Sequence, residues 1–242
     1  MIWLRELRFR EPPSSYAAEI PAVRALAETG GLCFHSPVTF LAGGNGSGKS
    51  TLLEAAAAVC GLNPEGGSRD NRFATQDTHS DLADCLLAVR GGLPRDGYFL
   101  RAESFYGLAT YLDQSGSLMT RYGGRSLHSR SHGEAFLTVV SSRFEGRGLY
   151  LLDEPEAALS PQRQLSLLVR MRELEKQDSQ FIIATHSPIL LAYPGAEILR
   201  LSEKGIEPAA YRDTEQYRVT KDFLDAPERM LRLLFEEEEN RE

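Results

Sequence analysis

One octapeptide constrains this chain more than any other feature. Residues 43–50 read Gly-Gly-Asn-Gly-Ser-Gly-Lys-Ser and fit the pattern G-x-x-x-x-G-K-[ST]. Glycines let successive backbone N–H groups turn towards phosphates, lysine adds charge at the β and γ positions, and serine offers a hydroxyl to Mg²⁺. An apolar run, 38–41, precedes the motif and an alanine-rich stretch, 50–60, follows it, so strand, loop and helix are predicted in that order. The residues predicted to bind the phosphates are Gly43, Gly44, Asn45, Gly46, Ser47, Gly48, Lys49, Ser50 and Thr51.

A second motif follows the apolar run at 149–152, which is typical of a central parallel strand. The run ends in Asp153, Glu154 and Pro155. An aspartate at this point is the expected Mg²⁺-side carboxylate of phosphate-loop enzymes, so Asp153 is predicted to join Ser50 at the metal. Glu154, one residue further, is placed to orient and deprotonate an attacking water. The alternative, that Asp153 and Glu154 form only an acidic surface turn, is disfavoured because the phosphate loop is present in the same chain.

Two further motifs lie around this one. His186 follows another apolar run, 181–184, and comes 33 residues after Asp153 (186 − 153). An imidazole there could contact the γ-phosphate and sense its loss, although a lone histidine is often structural. Ser131, Gly133 and Glu134 open a predicted helix, whose N-terminus would form a second anion site. The S-x-x-E spacing also fits a simple helix cap, and the two interpretations are compatible.

The order of these four motifs resembles that of ABC-type ATPases. More closely, the chain resembles stand-alone predicted ATPases of the RecF/SMC-like branch, often labelled AAA, and the similarity extends to residues 66–69, 75–81 and 122–125. In ABC-type ATPases two heads enclose two ATP molecules, each held by the phosphate loop of one head and the signature Ser and Gly of the other. The resemblance therefore implies that Ser131 and Gly133 act on a partner's γ-phosphate, that residues 158–161 contact the partner, and that Lys49, Glu154 and His186 are catalytic.

The chain departs from that pattern in two places. His132 stands where the family's signature has a glycine. The family also has a glutamine that senses Mg²⁺ and water, and the resemblance makes Gln76 the candidate for this metal-side position. Gln76 lies only 27 residues past Lys49 (76 − 49), and Asp77 and His79 could do similar work.

Two features common among relatives cannot be found. Only 82 residues separate Ser131 from Lys49 (131 − 49), so no long coiled-coil arm is inserted between the two halves. No aromatic residue that would stack on adenine is identifiable, and Tyr16 and Phe9 are candidates without a supporting pattern.

Strands alternating with helices predict an α/β fold with a mainly parallel sheet. Among the local expectations are a strand over 98–105 and a helix starting at Ser160-Pro161 with Leu165, Leu168 and Val169 on one face. Asp225 with Glu228 is expected to cap the last helix. With the resemblance, the expectation is a phosphate-loop NTPase of ABC-ATPase type, with helices on both faces of the sheet, a small antiparallel β lobe and a helical lobe. We expect one domain over 1–242, with the helical and signature lobe at about 66–135 and a C-terminal extension over 206–242.

Composition narrows the possible functions. The chain has 27 basic and 34 acidic residues and a formal net charge of −7, so there is no global basic character of the kind that duplex-binding domains show. No apolar stretch approaches the ~20 residues of a membrane span, and the charged N-terminus is not a signal peptide. We expect a cytoplasmic protein without membrane insertion.

The sequence therefore predicts an ATP- and Mg²⁺-dependent ATPase whose nucleotide-driven homodimerisation is coupled to an unknown protein or nucleic acid, with a slight preference for nucleic-acid maintenance or defence. A kinase or other phosphotransferase acting on a small substrate is the main alternative. A GTPase is disfavoured because no Asn-Lys-x-Asp motif occurs. A nucleotide-dependent binding module with negligible turnover also remains open.

Overall fold

The structure, a computed structural model, describes residues 1–68, 81–114 and 126–239. The strands are β1 (Leu4–Phe9), β2 (Gly31–Cys33), β3 (Val38–Gly43), β4 (Leu86–Arg90), β5 (Asp96–Arg101), β6 (Gly148–Asp153), β7 (Gln180–Ala184), β8 (Glu197–Ser202) and β9 (Gly205–Pro208). The helices are α1 (Pro21–Thr29), α2 (Lys49–Val59), α3 (Leu82–Cys85), α4 (Phe105–Gln114), α5 (His132–Arg143), α6 (Pro161–Glu175), α7 (Pro188–Leu191), α8 (Glu215–Asp225) and α9 (Pro227–Glu239).

In the described part of the chain, the central sheet has six strands in the order β5-β6-β7-β3-β8-β9. All neighbouring pairs are parallel except β8 and β9, which form an antiparallel hairpin. Strands β3, β6 and β7 are buried along their whole length, as their continuous apolar runs predict for strands covered on both faces. Alternate residues enter separate cores: Tyr150 and Leu152 face one, and Leu151 the other. The predicted α/β fold with a mainly parallel sheet is confirmed.

A second sheet, in the order β2-β1-β4, is antiparallel and packs over one core. One buried side chain joins it to the central sheet. Gln180, the first residue of β7, accepts hydrogen bonds at Oε1 from the N–H groups of Trp3 and Leu4, both at 2.8 Å, and its Nε2 donates to the Leu4 carbonyl at 2.9 Å. These bonds satisfy backbone groups of Leu4 and of Trp3, the residue before β1, that would otherwise be buried without partners. The expected antiparallel β lobe is therefore present.

The structure corrects three local predictions. The strand expected over residues 98–105 ends at Arg101, and Phe105 instead begins α4. On α6 we expected Leu165, Leu168 and Val169 to form the apolar face, but Leu165 and Val169 are 54% and 62% exposed, and the buried face carries Leu167. The predicted Asp225 cap of the last helix is wrong because Asp225 ends α8. None of the helices in the described ranges is long and apolar enough to cross a bilayer.

Candidate nucleotide-binding site

The phosphate loop connects β3 to α2 at the carboxyl edge of the central sheet. Two of its glycines have positive φ, Gly46 at 75° and Gly48 at 95°, which other residues adopt only with strain. A Cβ at Gly48 would lie 2.4 Å from Cγ2 of Ile20, and one at Gly43 would lie 2.4 Å from the Leu201 carbonyl oxygen. Glycine is therefore required for conformation at Gly46, for space at Gly43, and for both at Gly48.

Lys49 is the first residue of α2 and lies inside the loop. Its side chain is almost entirely covered, and Nζ donates to the carbonyl oxygens of Gly43 at 3.0 Å and Gly44 at 2.9 Å. Burial lowers the pKa of Lys49, while the nearby carboxylates of Glu154 and Asp153 oppose that shift. The ammonium group is thus held at the mouth of a loop of backbone N–H groups, where an anionic ligand would meet it.

Ser50 and Asp153 meet between the loop and the end of β6. Ser50 Oγ donates to Asp153 Oδ1 at 3.0 Å, and Asp153 is only 6% exposed. Burial raises the pKa of Asp153 to about 6, although the guanidinium of Arg101 and the hydroxyl of Ser50 oppose this shift. A hydroxyl and a carboxylate side by side are hard oxygen donors of the type that Mg²⁺ takes together with phosphate oxygens. The side chains present therefore fit the expected metal.

Arg101 completes this arrangement from the neighbouring strand. It pairs with Asp153 in the β5–β6 register, and its Nε lies 3.4 Å from Asp153 Oδ2. Its Nη1 donates to Glu54 Oε1 on α2 at 2.7 Å. Arg101 therefore links the carboxylate at the end of β6 to the helix that follows the phosphate loop.

Glu154 and His186 face each other at the ends of β6 and β7. Glu154 has φ 46° and ψ 52°, a left-handed conformation that costs a non-glycine residue about 1–3 kcal/mol. His186 Nε2 lies 3.6 Å from Glu154 Oε1, is shielded from solvent and has no hydrogen-bond partner within the described ranges. Strain at a polar residue next to an unpaired buried ring nitrogen is typical of a functional position.

Two polar contacts fix the loops that carry these residues. Glu156 accepts hydrogen bonds from Thr185 Oγ1 at 2.7 Å and from the His186 backbone N–H at 2.5 Å. Gln164 on α6 donates to the Leu159 carbonyl at 3.1 Å and accepts from Ser187 Oγ at 2.5 Å. The loop after β6 is therefore connected to the loop after β7 at two points.

The helix that begins at Ser131 is separate from the phosphate loop of the same chain. Ser131 and Glu134 form a capping box at the start of α5, so the predicted helix cap is confirmed. Arg163 on α6 donates to Ser131 Oγ at 2.9 Å and to Glu134 Oε1 at 2.8 Å. A Cβ at Gly133 would lie 2.8 Å from the Ala158 carbonyl oxygen, so glycine permits close packing on the loop after β6. In the described residues, neither Ser131 nor Gly133 hydrogen-bonds to residues 43–50.

Known proteins with nucleotide-binding domains are similar to this chain in sequence and in fold. Residues 23–90 match a family model described as "AAA domain", and residues 134–192 match one described as "AAA domain, putative AbiEii toxin, Type IV TA system". An "Uncharacterized ABC transporter ATP-binding protein" of Haemophilus influenzae is 26% identical over 189 residues, covering 68% of this chain and 69% of that protein. CbiO1 of Clostridium perfringens, described as part of an ABC transporter complex, aligns with a TM-score of 0.50 at 16% identity, over 97% of this chain and 99% of that one.

The two matched segments contain the phosphate loop, the Asp153-Glu154 turn and His186, and the fold is that of the solved ABC subunit. The chain has the fold of a P-loop NTPase of the ABC-ATPase type. In this fold the motifs predicted from sequence meet at one edge of the sheet, with Ser131 and Gly133 on a separate helix. Gln76, Asp77 and His79 lie outside the described residues.

Three side chains of this site lie outside the motifs that predict it. Arg101 lies in the strand expected over 98–105, Glu156 lies in the loop after Glu154, and Arg163 lies in a helix without any distinguishing pattern. A signal existed for Arg101 alone: a charged residue ending an apolar strand of a parallel sheet lies at the edge where the other strand-end residues meet.

Proposed function

We propose that the chain binds ATP with Mg²⁺ and hydrolyses it. One observation supports this most directly: Lys49, Ser50 and Asp153 converge on a glycine-rich loop, with the Ser50 hydroxyl 3.0 Å from the Asp153 carboxylate. We assign the phosphates to the backbone N–H groups of residues 43–51 and to Lys49. Ser50 and Asp153 would hold Mg²⁺, which when bound neutralises charge on the phosphate oxygens. Gln76 remains a proposed third metal-side residue.

Hydrolysis then requires a base and a group that follows the γ-phosphate. Glu154 is partly exposed at the end of β6, so its carboxylate can accept a proton from a water in front of the phosphate. His186 is held by its backbone to Glu156, which leaves Nε2 free to contact a phosphate oxygen. The distance of 3.6 Å between these two side chains leaves each able to turn towards a ligand.

The second half of the site would come from a second copy of the chain. Ser131 Oγ accepts hydrogen bonds from Arg163 and from the Glu134 N–H, and its hydroxyl also hydrogen-bonds to the Glu134 carboxylate. In the pair this hydroxyl would turn to donate its proton to a γ-phosphate oxygen of a partner, beside the N-terminus of α5. ATP would thus join two heads, and the closed pair would act on a protein or nucleic-acid partner in nucleic-acid maintenance or defence.

The first experiment removes the loop ammonium. Lys49→Ala should lose ATP affinity, measured by isothermal titration calorimetry with Mg·ATP, because Lys49 supplies the side-chain charge at the β and γ phosphates. Lys176→Ala, which changes an exposed lysine at the end of α6, is the matched control and should bind as wild type does. Binding of ATP by Lys49→Ala at wild-type affinity would remove the basis of this proposal.

The second experiment separates ATPase from the alternatives. Glu154→Gln should keep ATP binding and lose turnover by about 10²–10⁴-fold, because glutamine preserves shape and cannot act as a base. Phosphate release in the absence of any acceptor distinguishes a hydrolase from a kinase. Binding without measurable release in the wild-type protein would instead favour a nucleotide-dependent binding module.

A further inference from the structure

A cleft lies directly beside the phosphate loop. Its volume is about 280 Å³, close to the lower end of the ~300–1,000 Å³ range of small-ligand pockets. The residues that line it come from the loop (43–47), from the end of β8 and the turn after it (Arg200 and Glu203), and from the first turn of α8 (Gln216). The cleft therefore continues the phosphate loop towards β8.

The order of the strands says which part of a nucleotide would reach this cleft. Strand β3, which leads into the loop, lies between β7 and β8. Asp153 and His186, at the ends of β6 and β7, mark the side on which the terminal phosphate and metal belong. The nucleoside is attached to the end of the phosphate chain opposite the terminal phosphate, so an extended nucleotide places it on the other side of the loop, towards β8.

No aromatic residue lines the cleft among the described residues, so a base entering it needs another planar partner. Tyr16 is largely exposed in a short 3-10 helix and Phe9 packs against buried side chains, and neither lines the cleft. Arg200 does line it, and its Nη2 donates to Glu207 Oε2 on β9 at 2.8 Å. A guanidinium is planar and stacks on aromatic faces.

From these observations we propose that the nucleoside of the bound nucleotide lies in this cleft, with its base stacked on the guanidinium of Arg200. Glu203 and Gln216 offer an acceptor carboxylate and an amide at the rim for the polar edge of the base or the ribose hydroxyls. The inference rests on the proposed ATP binding, and it assigns to Arg200 the contact that aromatic residues were expected to make.

The test compares two ligands that share the phosphate chain. ATP and inorganic tripolyphosphate, each with Mg²⁺, are titrated into the wild-type chain and into Arg200→Ala. Loss of one stacking partner at a partly exposed site should weaken ATP binding about tenfold and leave tripolyphosphate binding unchanged. The variant should fold because the Arg200–Glu207 pair is exposed at 45% and 48%. Arg218→Ala is the matched control. It removes an exposed arginine of α8 that pairs with Asp213, and it should change neither the ATP affinity nor the tripolyphosphate affinity.

A third variant distinguishes stacking from charge. Arg200→Tyr keeps a planar surface, suits a strand, and should hold ATP within about threefold of wild type. Wild-type ATP affinity in Arg200→Ala would overturn the inference, and so would an equal loss of affinity for ATP and tripolyphosphate. A wild-type chain that binds neither ligand would instead overturn the proposed function and this inference with it.

Discussion

At the scale of single residues, the site contains a carboxylate whose ionised form is destabilised by burial. Asp153 is buried, and burial raises its pKa to about 6 from an ordinary value of 3.8. Arg101 and Ser50 reduce the free-energy cost of burying this charge but do not abolish it. At neutral pH the folded chain therefore carries an ionised group that would be better solvated in the unfolded chain. Such a cost is common where a carboxylate must be ready to hold a cation.

This cost predicts how stability depends on pH. Because the pKa of Asp153 is raised in the folded chain, its carboxyl contributes most to the free energy of unfolding below about pH 3.8. This contribution is lost as the pH rises to about 6. Asp153→Asn mimics the protonated form, so without nucleotide or Mg²⁺ it should be more stable than wild type at pH 7.5, by up to about 3 kcal/mol. Thermal unfolding followed by circular dichroism at pH 4 to 8 measures the difference.

A matched control removes a charge of the same sign from the surface. Glu173→Gln, on the exposed side of α6, should show no comparable change across this pH range. If Asp153→Asn and wild type differ by the same amount at pH 4.5 and pH 7.5, then burial of Asp153 does not determine this part of the pH profile.

Much of the site could be predicted because its chemistry is local. Residues 43–50, Asp153 with Glu154, and His186 each follow a buried strand, and the carboxyl ends of parallel strands share one edge. For Arg101 the strand-end position indicates the edge of the sheet, but its contact with Glu54 depends on the order of the strands. Glu156 could not be found in the same way, because its contacts join residues about 30 positions apart.

At the scale of elements, packing decides where glycine is required. Gly133 lies in the first turn of α5, where an added Cβ would approach the Ala158 carbonyl oxygen to 2.8 Å and Arg163 Nη1 to 2.7 Å. The arginine can move, but the carbonyl belongs to the loop that follows Glu154. Gly133→Ala should therefore destabilise the chain by about 1–3 kcal/mol.

Gly107 provides the comparison for this prediction. It lies inside α4, is exposed, and an added Cβ would meet nothing within 4 Å. Gly107→Ala should therefore stabilise the chain by about 0.5–1 kcal/mol, because alanine favours the helix. Urea denaturation of both variants gives the two values. Wild-type stability in Gly133→Ala would contradict this prediction, because it would mean that the loop at Ala158 moves away from the added Cβ with no loss in the free energy of unfolding.

The mistaken face of α6 shows why helices were harder to predict than central strands. Leu165, Leu168 and Val169 have helical spacing, but so do Leu167, Met171 and Leu174, which are the buried ones. The sequence alone cannot choose between two apolar stripes on one helix, since only the partner surface decides which is covered. Central strands avoid this ambiguity because both of their faces are buried.

At the scale of the whole molecule, the proposed site is divided between two surfaces. The phosphate loop and the residues after β6 and β7 meet at one place, while Ser131 lies on α5 beside α6. The loop after β6 touches both, because it carries Glu154 at one end and packs on Gly133 through Ala158. A partner that placed its own Ser131 over this phosphate loop would complete the site without any rearrangement of the fold.

This division predicts assembly that depends on nucleotide. Glu154→Gln should be monomeric without nucleotide and dimeric with Mg·ATP, because ATP shifts the equilibrium only if it contacts the closed pair better than the open one. Each pair would hold two nucleotides, so the difference in ATP-binding free energy between the closed pair and the open heads contributes twice to dimerisation. Size-exclusion chromatography with light scattering, run with and without Mg·ATP, measures the mass directly.

Two substitutions of Ser131 in the Glu154→Gln background separate the interface from the helix cap. Ser131→Ala removes the cap of α5, at a cost of about 1 kcal/mol, but introduces no bulk. Ser131→Arg also removes the cap and adds a long charged side chain where the partner's phosphate would lie. We expect both to bind ATP as single heads, Ser131→Ala to dimerise more weakly, and Ser131→Arg to remain monomeric. Dimers of Ser131→Arg with Mg·ATP would contradict the two-headed site, because the partner could not then approach through α5. A Glu154→Gln protein that binds ATP and stays monomeric at high concentration would favour the kinase instead.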